Sequence, residues 1–341
     1  MTLLEQQERR PHHILDRYDS LLVDLDGTVF RGGVLIDGAL AGLAGRPAVY
    51  VTNNASRSPR AVSDHLAGLG VHTEPSRVLT SAQVACTLAV ELAGGAGDGG
   101  DAAAVPSALV VGAESFRELA AEAGFRVVRS ADDRPDVVLH GHSPDNDWAV
   151  LSEAALAVRA GAVYVASNMD TTLPSERGLL IGNGSLVAAV VSATGVHPQS
   201  AGKPEPAMFH VAAERLGARR PLAVGDRLDT DIAGGIAAGT DTLCVLTGVS
   251  GHTDILHTRY RPTWIAANLR DHLDGWGAHR TGDTVTVTAG RQGDVEVMAA
   301  EALAAAAPLV WAAQDSGDDV TVVDDGSAAA AAAPVSYTHL R

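Results

Sequence analysis

The 341-residue sequence predicts an α/β protein built on parallel sheets, from three observations. Short apolar, β-prone runs alternate with helical stretches, which is how βαβ units read in sequence. Glycine is plentiful, with 36 residues, and supplies tight strand-to-helix turns. Aromatic residues make up only 4%, so aliphatic side chains and alanine must fill the core and let helices lie close on a sheet. The length suggests about two domains.

Taken in order, "SLLVDLD" (20–26) reads as a buried strand and "AVYVTNN" (48–54) as a second. "SPRAVSDHLAGLG" reads as a helix with Ser58 as N-cap, Pro59 in its first position and Gly70 as its stop. "SALVVGA" (107–113), followed by a helix ending near Gly124, and "DVVLHG" (136–141) continue the alternation. A helix through "WAVLSEAALAVRAG" leads into the strand "AVYVASN" (162–168). "AMFHVAAERLGA" (207–218) is helical, and "PLAVGD" (221–226) and "TLCVLTG" (242–248) are strands.

Two composition breaks interrupt this pattern. "AGGAGDGGDAAAVPS" (93–107) reads as a low-complexity surface loop. After about Asp274, "DTVTVTA", "DVEVMAA", an Ala-rich helix up to Gln314 and "DDVTVVDD" predict a small ββαβ-like unit over 275–325. A unit of that size is not stable unless it packs on something. The low-complexity tail, 326–341, is predicted to be disordered.

A formal charge of −16 without a basic block argues against nucleic-acid and anionic-membrane partners, although a local lysine with a metal can still bind an anion. Cys86 and Cys244 are far apart, lack metal-ligand spacing and read as reduced thiols of a cytoplasmic protein. The start, "MTLLEQQERRPHHILDRY", has no apolar segment of a signal peptide, and no window approaches a membrane span of about 20 uninterrupted apolar residues. A homodimer stays open.

Chemistry collects at strand ends, where open parallel sheets bind ligands. Asp24 and Asp26 are two apart, so in a strand both face one side, and Gly27 lets the chain turn just beyond them. Close carboxylates repel unless a cation or a shared proton relieves them; the alternative is an Asx turn or cap. "VYVTNNAS" ends a strand with Thr52, Asn53 and Asn54, whose hydroxyl, amides and backbone N–H groups suit a phosphate, or a simple ST turn. "LAVGDRLDTDI" ends a strand with Asp226 and puts Asp229 and Asp231 at a helix start, where Asp229 reads as the N-cap. In "AGKPEPAMF", prolines pin Lys203 before a helix, although a solvated surface lysine reads equally well.

In this order, "DLDGTV", "VTNNAS", "GKP" and "GDRLDTDI", with "ASNMDTTLPSERGLLIGNGS", resemble the haloacid dehalogenase superfamily of phosphatases. The resemblance spans roughly 18–270 and is to subclass IIA, the branch with a large α/β cap between the second and third motifs. It implies a Rossmann-like parallel-sheet core over 15–80 and 198–272, with a cap over 81–197. It further implies Asp24 as a nucleophile forming an aspartyl-phosphate and Asp26 as general acid and base. Mg²⁺ is implied on Asp24, the Asp26 backbone carbonyl and Asp226, with Asp231 supporting a bound water or orienting Lys203. Thr52, the Asn53 N–H and Lys203 are implied to hold phosphoryl oxygens. An aspartate at position 26 favours phosphomonoester hydrolysis, since halide displacement needs no acid there.

The resemblance also implies a cap loop that closes over the phosphate and reads the leaving group, with Asn168 and Asp170 as candidates and turn or capping roles as the alternative. A closing cap leaves space only for a small phosphate ester. Glycerol 3-phosphate leads, because the C-terminal extension resembles an actinobacterial form of the branch linked to that activity; phosphoglycolate, pyridoxal phosphate and nucleoside monophosphates are alternatives. A phosphotransferase, and a non-catalytic phosphometabolite sensor acting through 275–325, complete the set. The intact motifs argue against the sensor.

Overall fold

The computed structural model describes residues 14–95, 105–175, 177–327 and 337–340. The segment 1–13, most of the low-complexity loop (96–104) and most of the tail (328–336 and 341) lie outside the described residues, and with them the expectations stated for those segments. The chain divides into two compact units, Met1–Ala48 with Leu216–Arg341, and Val49–Arg215.

In the first unit, Trp264–Ala266, Asp241–Val245, Pro221–Gly225 and Ser20–Val23 lie side by side in that order, all parallel. Ser20–Val23 is buried on both faces, as its continuous apolar run requires. The strand pairs residue for residue with Pro221–Gly225, Val23 opposite Val224, so both strands reach the same edge together.

The C-terminal extension is ββαβ, with one boundary moved. Gly277–Thr281 pairs antiparallel with Thr284–Thr288, which runs parallel to Val320–Asp324 across the helix Val295–Asp315. "DVEVMAA" alternates like a strand but opens this helix. The Asp294 carboxylate accepts from the Glu296 N–H at 2.9 Å and the Val297 N–H at 3.4 Å, and the helix is buried without a break from Val297 to Leu303. The preceding strand, "GAHRT", is half-exposed and carries no apolar alternation to announce it. Tyr337–Leu340, within the tail expected to lack structure, pairs antiparallel with Val320–Asp324.

Val285, Val287, Leu303, Val310 and Trp311 of the extension share one hydrophobic cluster with Leu228, Ile232, Cys244, Ile255 and Ile265. Trp311 Nε1 donates to the Ile255 carbonyl at 3.0 Å, and the Arg261 guanidinium grips the Asp315 carboxylate at 2.6 and 2.7 Å. The extension therefore meets the packing that its size demands. Its 21-residue helix also has the length and composition of a membrane span, which the sequence was expected not to contain; 56% of its apolar window is buried.

In the second unit, Tyr50, Val51 and Thr52 of the strand Ala48–Thr52 pair in parallel with Val78–Thr80. A five-stranded parallel sheet runs in the order Gln199–Ser200, Val163–Ala166, Val137–His140, Ser107–Val111, Arg126–Val128. The helix Pro59–Gly68 begins as expected, its Ser58 hydroxyl accepting from the Ala61 N–H at 3.2 Å, and Gly70 follows it at φ +90°. Trp148–Arg159 starts on an Asp147 cap. An antiparallel hairpin, Thr172–Ser175 with Gly178–Ile181, leads into the helix Asn183–Thr194.

Replacing the 7%-exposed Trp311 by alanine removes the largest side chain of the shared cluster and is expected to cost about 3–5 kcal/mol. Thermal unfolding of Trp311→Ala checks this; an unchanged melting temperature would mean that the extension does not share the first unit's core.

Candidate active site

Three carboxylates converge in the first unit. Asp24 follows the last residue of Ser20–Val23, extending the ladder by donating its N–H to the Val224 carbonyl at 2.8 Å, and Asp226 follows Pro221–Gly225. Asp231 comes from the wide π-type turn Leu228–Ile232. One oxygen from each lies within 4.8 Å of the others, and the three residues are 9%, 1% and 2% exposed. Buried acids this close repel strongly, and a divalent cation with hard oxygen ligands relieves that repulsion.

Glycines make the convergence possible. A Cβ on Gly27 would sit 2.5 Å from Asp226 Oδ2, on Gly248 1.8 Å from the same oxygen, and on Gly225 2.2 Å from Asp231 Cβ. Gly27 also holds φ +89°, a conformation that L side chains rarely adopt. The Thr247 hydroxyl fixes this turn by donating to the Gly27 carbonyl at 2.6 Å. The Val249 N–H donates to Asp226 Oδ2 at 2.6 Å, and the Arg227 N–H to Asp231 Oδ2 at 3.1 Å.

Two local expectations change. The strand stops at Val23, so Asp24 and Asp26 do not share one strand face; Asp24 is buried and Asp26, in the tight turn that bridges to Phe30, is exposed. Asp229 is not the cap of its turn. It pairs with the Arg227 guanidinium at 2.9 Å, while Asp231 receives the Arg227 N–H.

The second unit gathers amides and a lysine, again at the ends of parallel strands. Thr52 closes Ala48–Thr52, Asn168 lies two residues beyond Val163–Ala166, and Lys203 lies three beyond Gln199–Ser200. Thr52 and Lys203 are both 4% exposed, and the ammonium donates to the Val51 carbonyl at 3.3 Å. The Asn54 N–H donates to Thr52 Oγ1 at 3.1 Å. Asn168, also 4% exposed, spends both ends of its amide internally, donating to the Asn53 carbonyl at 2.7 Å and accepting the Asp170 N–H at 3.2 Å. It braces the chain around the site, whereas half-buried Asp170 lies nearer the surface.

The sequence reading passed over several supporting groups. Asn183, 2% exposed, donates to the Asn168 carbonyl at 2.8 Å, and the Ser81 hydroxyl to the Asn53 carbonyl at 2.8 Å. Gly182 and Gly184, by contrast, read from the sequence as glycines serving backbone geometry, and they let the helix start press on the Met169–Thr172 backbone, where Cβ atoms would come within 2.3 and 2.2 Å of the Asp170 and Met169 carbonyls. Thr247-Gly248 had a findable signal: a hydroxyl and a glycine just past a buried strand, the pattern already noted at Thr52 and Asp226.

Beneath the Asn168 segment, His140 is fully buried, its Nδ1 2.8 Å from the Tyr164 hydroxyl and its Nε2 without a hydrogen-bond partner. Burial pushes its imidazole down to about 3 from 6.5. The folded chain keeps it neutral while the unfolded chain protonates it, so stability is fully present above about pH 6.5 and falls as pH drops toward 3. The expected contribution is about 1.4 kcal/mol per pH unit in that window. Denaturant unfolding of wild type and His140→Phe between pH 7 and 4 should show the variant with the shallower loss; equal slopes would remove His140 as the cause. Gly248→Ala, which drives a Cβ into Asp226, is expected to weaken Mg²⁺ binding at least tenfold by calorimetric titration; unaltered binding would mean that Asp226 is not a ligand.

Comparisons with known proteins agree with this geometry. A family model described as haloacid dehalogenase-like hydrolase matches residues 21–126, and a HAD-hydrolase-like model matches 200–272. The D-glycerol 3-phosphate phosphatase of Mycobacterium tuberculosis is 46% identical over 299 residues, 83% of this chain and 81% of that protein. The acid sugar phosphatase of Staphylococcus aureus is 36% identical over 266 residues, 76% of this chain and 98% of that protein. The crystal structure of the M. tuberculosis glycerol phosphate phosphatase with magnesium superposes with a TM-score of 0.79 at 42% identity, covering 93% of this chain and 96% of that one. The chain belongs to the haloacid dehalogenase-like hydrolases, in the subclass IIA branch whose Rossmann-like core carries a large α/β cap.

Proposed function

We propose that this chain is a Mg²⁺-dependent phosphatase that hydrolyses a small phosphomonoester through an aspartyl-phosphate, with glycerol 3-phosphate as first substrate. The observation that carries the reading is the convergence of the Asp24, Asp226 and Asp231 carboxylates at strand ends. The naming of the M. tuberculosis relative as a D-glycerol 3-phosphate phosphatase supports the substrate, as does the 93% of this chain that superposes on a glycerol phosphate phosphatase.

An Asp24 carboxylate oxygen attacks phosphorus, and the P–O bond to the substrate alcohol breaks. Asp26 gives its proton to the departing oxygen and then takes one from the water that hydrolyses the acyl phosphate, restoring both aspartates. Its exposure, where Asp24 is buried, suits a group that exchanges protons with substrate and water. Thr52, the Asn53 N–H and Lys203 are assigned to the phosphoryl oxygens, where their positive ends offset charge that builds in the transition state. Asp24, Asp226 and the Asp26 carbonyl would hold Mg²⁺, with Asp231 beside them. The all-oxygen donor set suits a hard cation, which screens carboxylate from phosphate.

Residues 15–80 and 198–272 are assigned as core, 81–197 as cap and 275–325 as extension. Asp170 is the assigned reader of the leaving group, braced by Asn168. A cytoplasmic location without nucleic-acid or membrane partners belongs to the same proposal, on the charge of −16 and the two buried free thiols.

Phosphate release from glycerol 3-phosphate should need added Mg²⁺, stop with EDTA and fall at least a thousandfold in Asp24→Asn, since an amide is a far poorer nucleophile than a carboxylate. Equal release by wild type and Asp24→Asn would sink the aspartyl-phosphate mechanism.

A further inference from the structure

The side chain of Asn53 has partners that its assigned backbone role does not use. Asn53 Oδ1 accepts the Lys203 N–H at 2.8 Å, and its Nδ2 donates to the Lys203 carbonyl at 3.0 Å, so the planar amide grips both sides of the lysine backbone. The same Nδ2 donates to Asp170 Oδ2 at 3.1 Å, which uses both of its protons. The Asn53 carbonyl is itself held by Asn168 Nδ2 at 2.7 Å and by the Ser81 hydroxyl at 2.8 Å. Gly202 admits the contact, since a Cβ there would stand 2.8 Å from Asn53 Oδ1 and 2.6 Å from the Ser167 carbonyl.

We propose that the Asn53 side-chain amide is a positioning residue that sets the distance between Lys203 and Asp170, and thereby couples phosphate binding to leaving-group selection. The inference rests on the phosphatase reading above. A planar amide is rigid, and its three hydrogen bonds run to segments 117 and 150 residues away in sequence. The bond to the Asp170 carboxylate is charge-assisted and about twice as strong as a neutral one. Asn53 touches no reacting atom through this group. It acts by holding in one register the ammonium that meets the phosphate and the carboxylate that faces the alcohol.

Two bland explanations make different forecasts. If Asn53 only supports the fold, its loss lowers turnover of every substrate alike. If it positions Lys203 alone, the loss again falls on the phosphate, which all substrates share. A coupling residue changes the preference between substrates.

The experiment compares kcat/KM for glycerol 3-phosphate and 4-nitrophenyl phosphate in wild type, Asn53→Ala, Asp170→Ala and the double variant, with melting temperatures taken alongside. The ratio of the two values is expected to fall in Asn53→Ala and Asp170→Ala by a similar factor, on the order of tenfold, and no further in the double variant. Asn53→Asp keeps the acceptor for the Lys203 N–H but loses both donors and faces Asp170 with a like charge, so it should lose the preference with the fold intact. Multiplying effects in the double variant, or an unchanged ratio in Asn53→Ala or Asn53→Asp, would overturn the coupling while leaving the phosphatase standing. No phosphate release by wild type from either ester would instead overturn the phosphatase reading and the coupling with it.

Discussion

Mutual repulsion among three buried carboxylates is the constraint around which the first unit is arranged. Asp24, Asp226 and Asp231 are each nearly inaccessible and lie within 4.8 Å of one another by their oxygens. Uncompensated, such a group would be expelled or protonated. Two features accommodate it. Backbone N–H groups of Val249 and Arg227 donate to the acids, and an all-oxygen concavity fits a divalent cation. The surrounding glycines follow from the same constraint. Gly27, Gly225 and Gly248 occupy positions where any side chain would meet Asp226 or Asp231, so the space that the acids need is paid for by residues without one.

The second unit solves a different problem, which is fixing the backbone that carries a nearly buried ammonium. Lys203 is 4% exposed, yet its backbone is fixed by an uncharged amide and its Nζ contacts a carbonyl. Amides supply a directional donor and acceptor on one plane, so a single side chain can orient both sides of the lysine backbone. Asparagines therefore recur around it: half-buried Asn53 on its backbone, buried Asn168 on Asn53, and buried Asn183 on Asn168. Each satisfies a carbonyl that would otherwise be left at the irregular end of a strand.

The alternation of apolar runs made the parallel sheets legible, because strands buried on both faces must be apolar throughout. Glycine and proline punctuation made the helix Pro59–Gly68 legible down to its cap. The carboxylates were legible because Asp24 and Asp226 recur past apolar runs in one order with Thr52 and Lys203, whereas each alone reads equally well as a turn or cap. What escaped notice has a common physical cause. Asn183, Ser81 and the side chain of Asn53 act through bonds to segments remote in sequence, and a single amide or hydroxyl carries no local period that could announce such a partner. "DVEVMAA" misled for the opposite reason. Its local alternation of β-branched residues was real, but the Asp294 cap and the continuous burial of residues 297–303 outweighed that weak propensity.

The extension acquires a physical role from where its core merges with the rest of the first unit. The S. aureus acid sugar phosphatase is matched over 98% of its length by 76% of this chain, so about a quarter of this chain has no counterpart in that relative. The helix Val295–Asp315, beyond the family match that ends at residue 272, shares a cluster with Leu228 and Ile232, the first and last residues of the turn that presents Asp231. A turn anchored at both ends in a close-packed interior has little freedom to relax when the carboxylates repel, because such interiors transmit displacement instead of absorbing it. In this chain, then, the packing of Met298, Leu303 and Trp311 does more than stabilise an appendage. It places a close-packed core against both ends of the turn that carries one of the three acids on which the proposed chemistry depends.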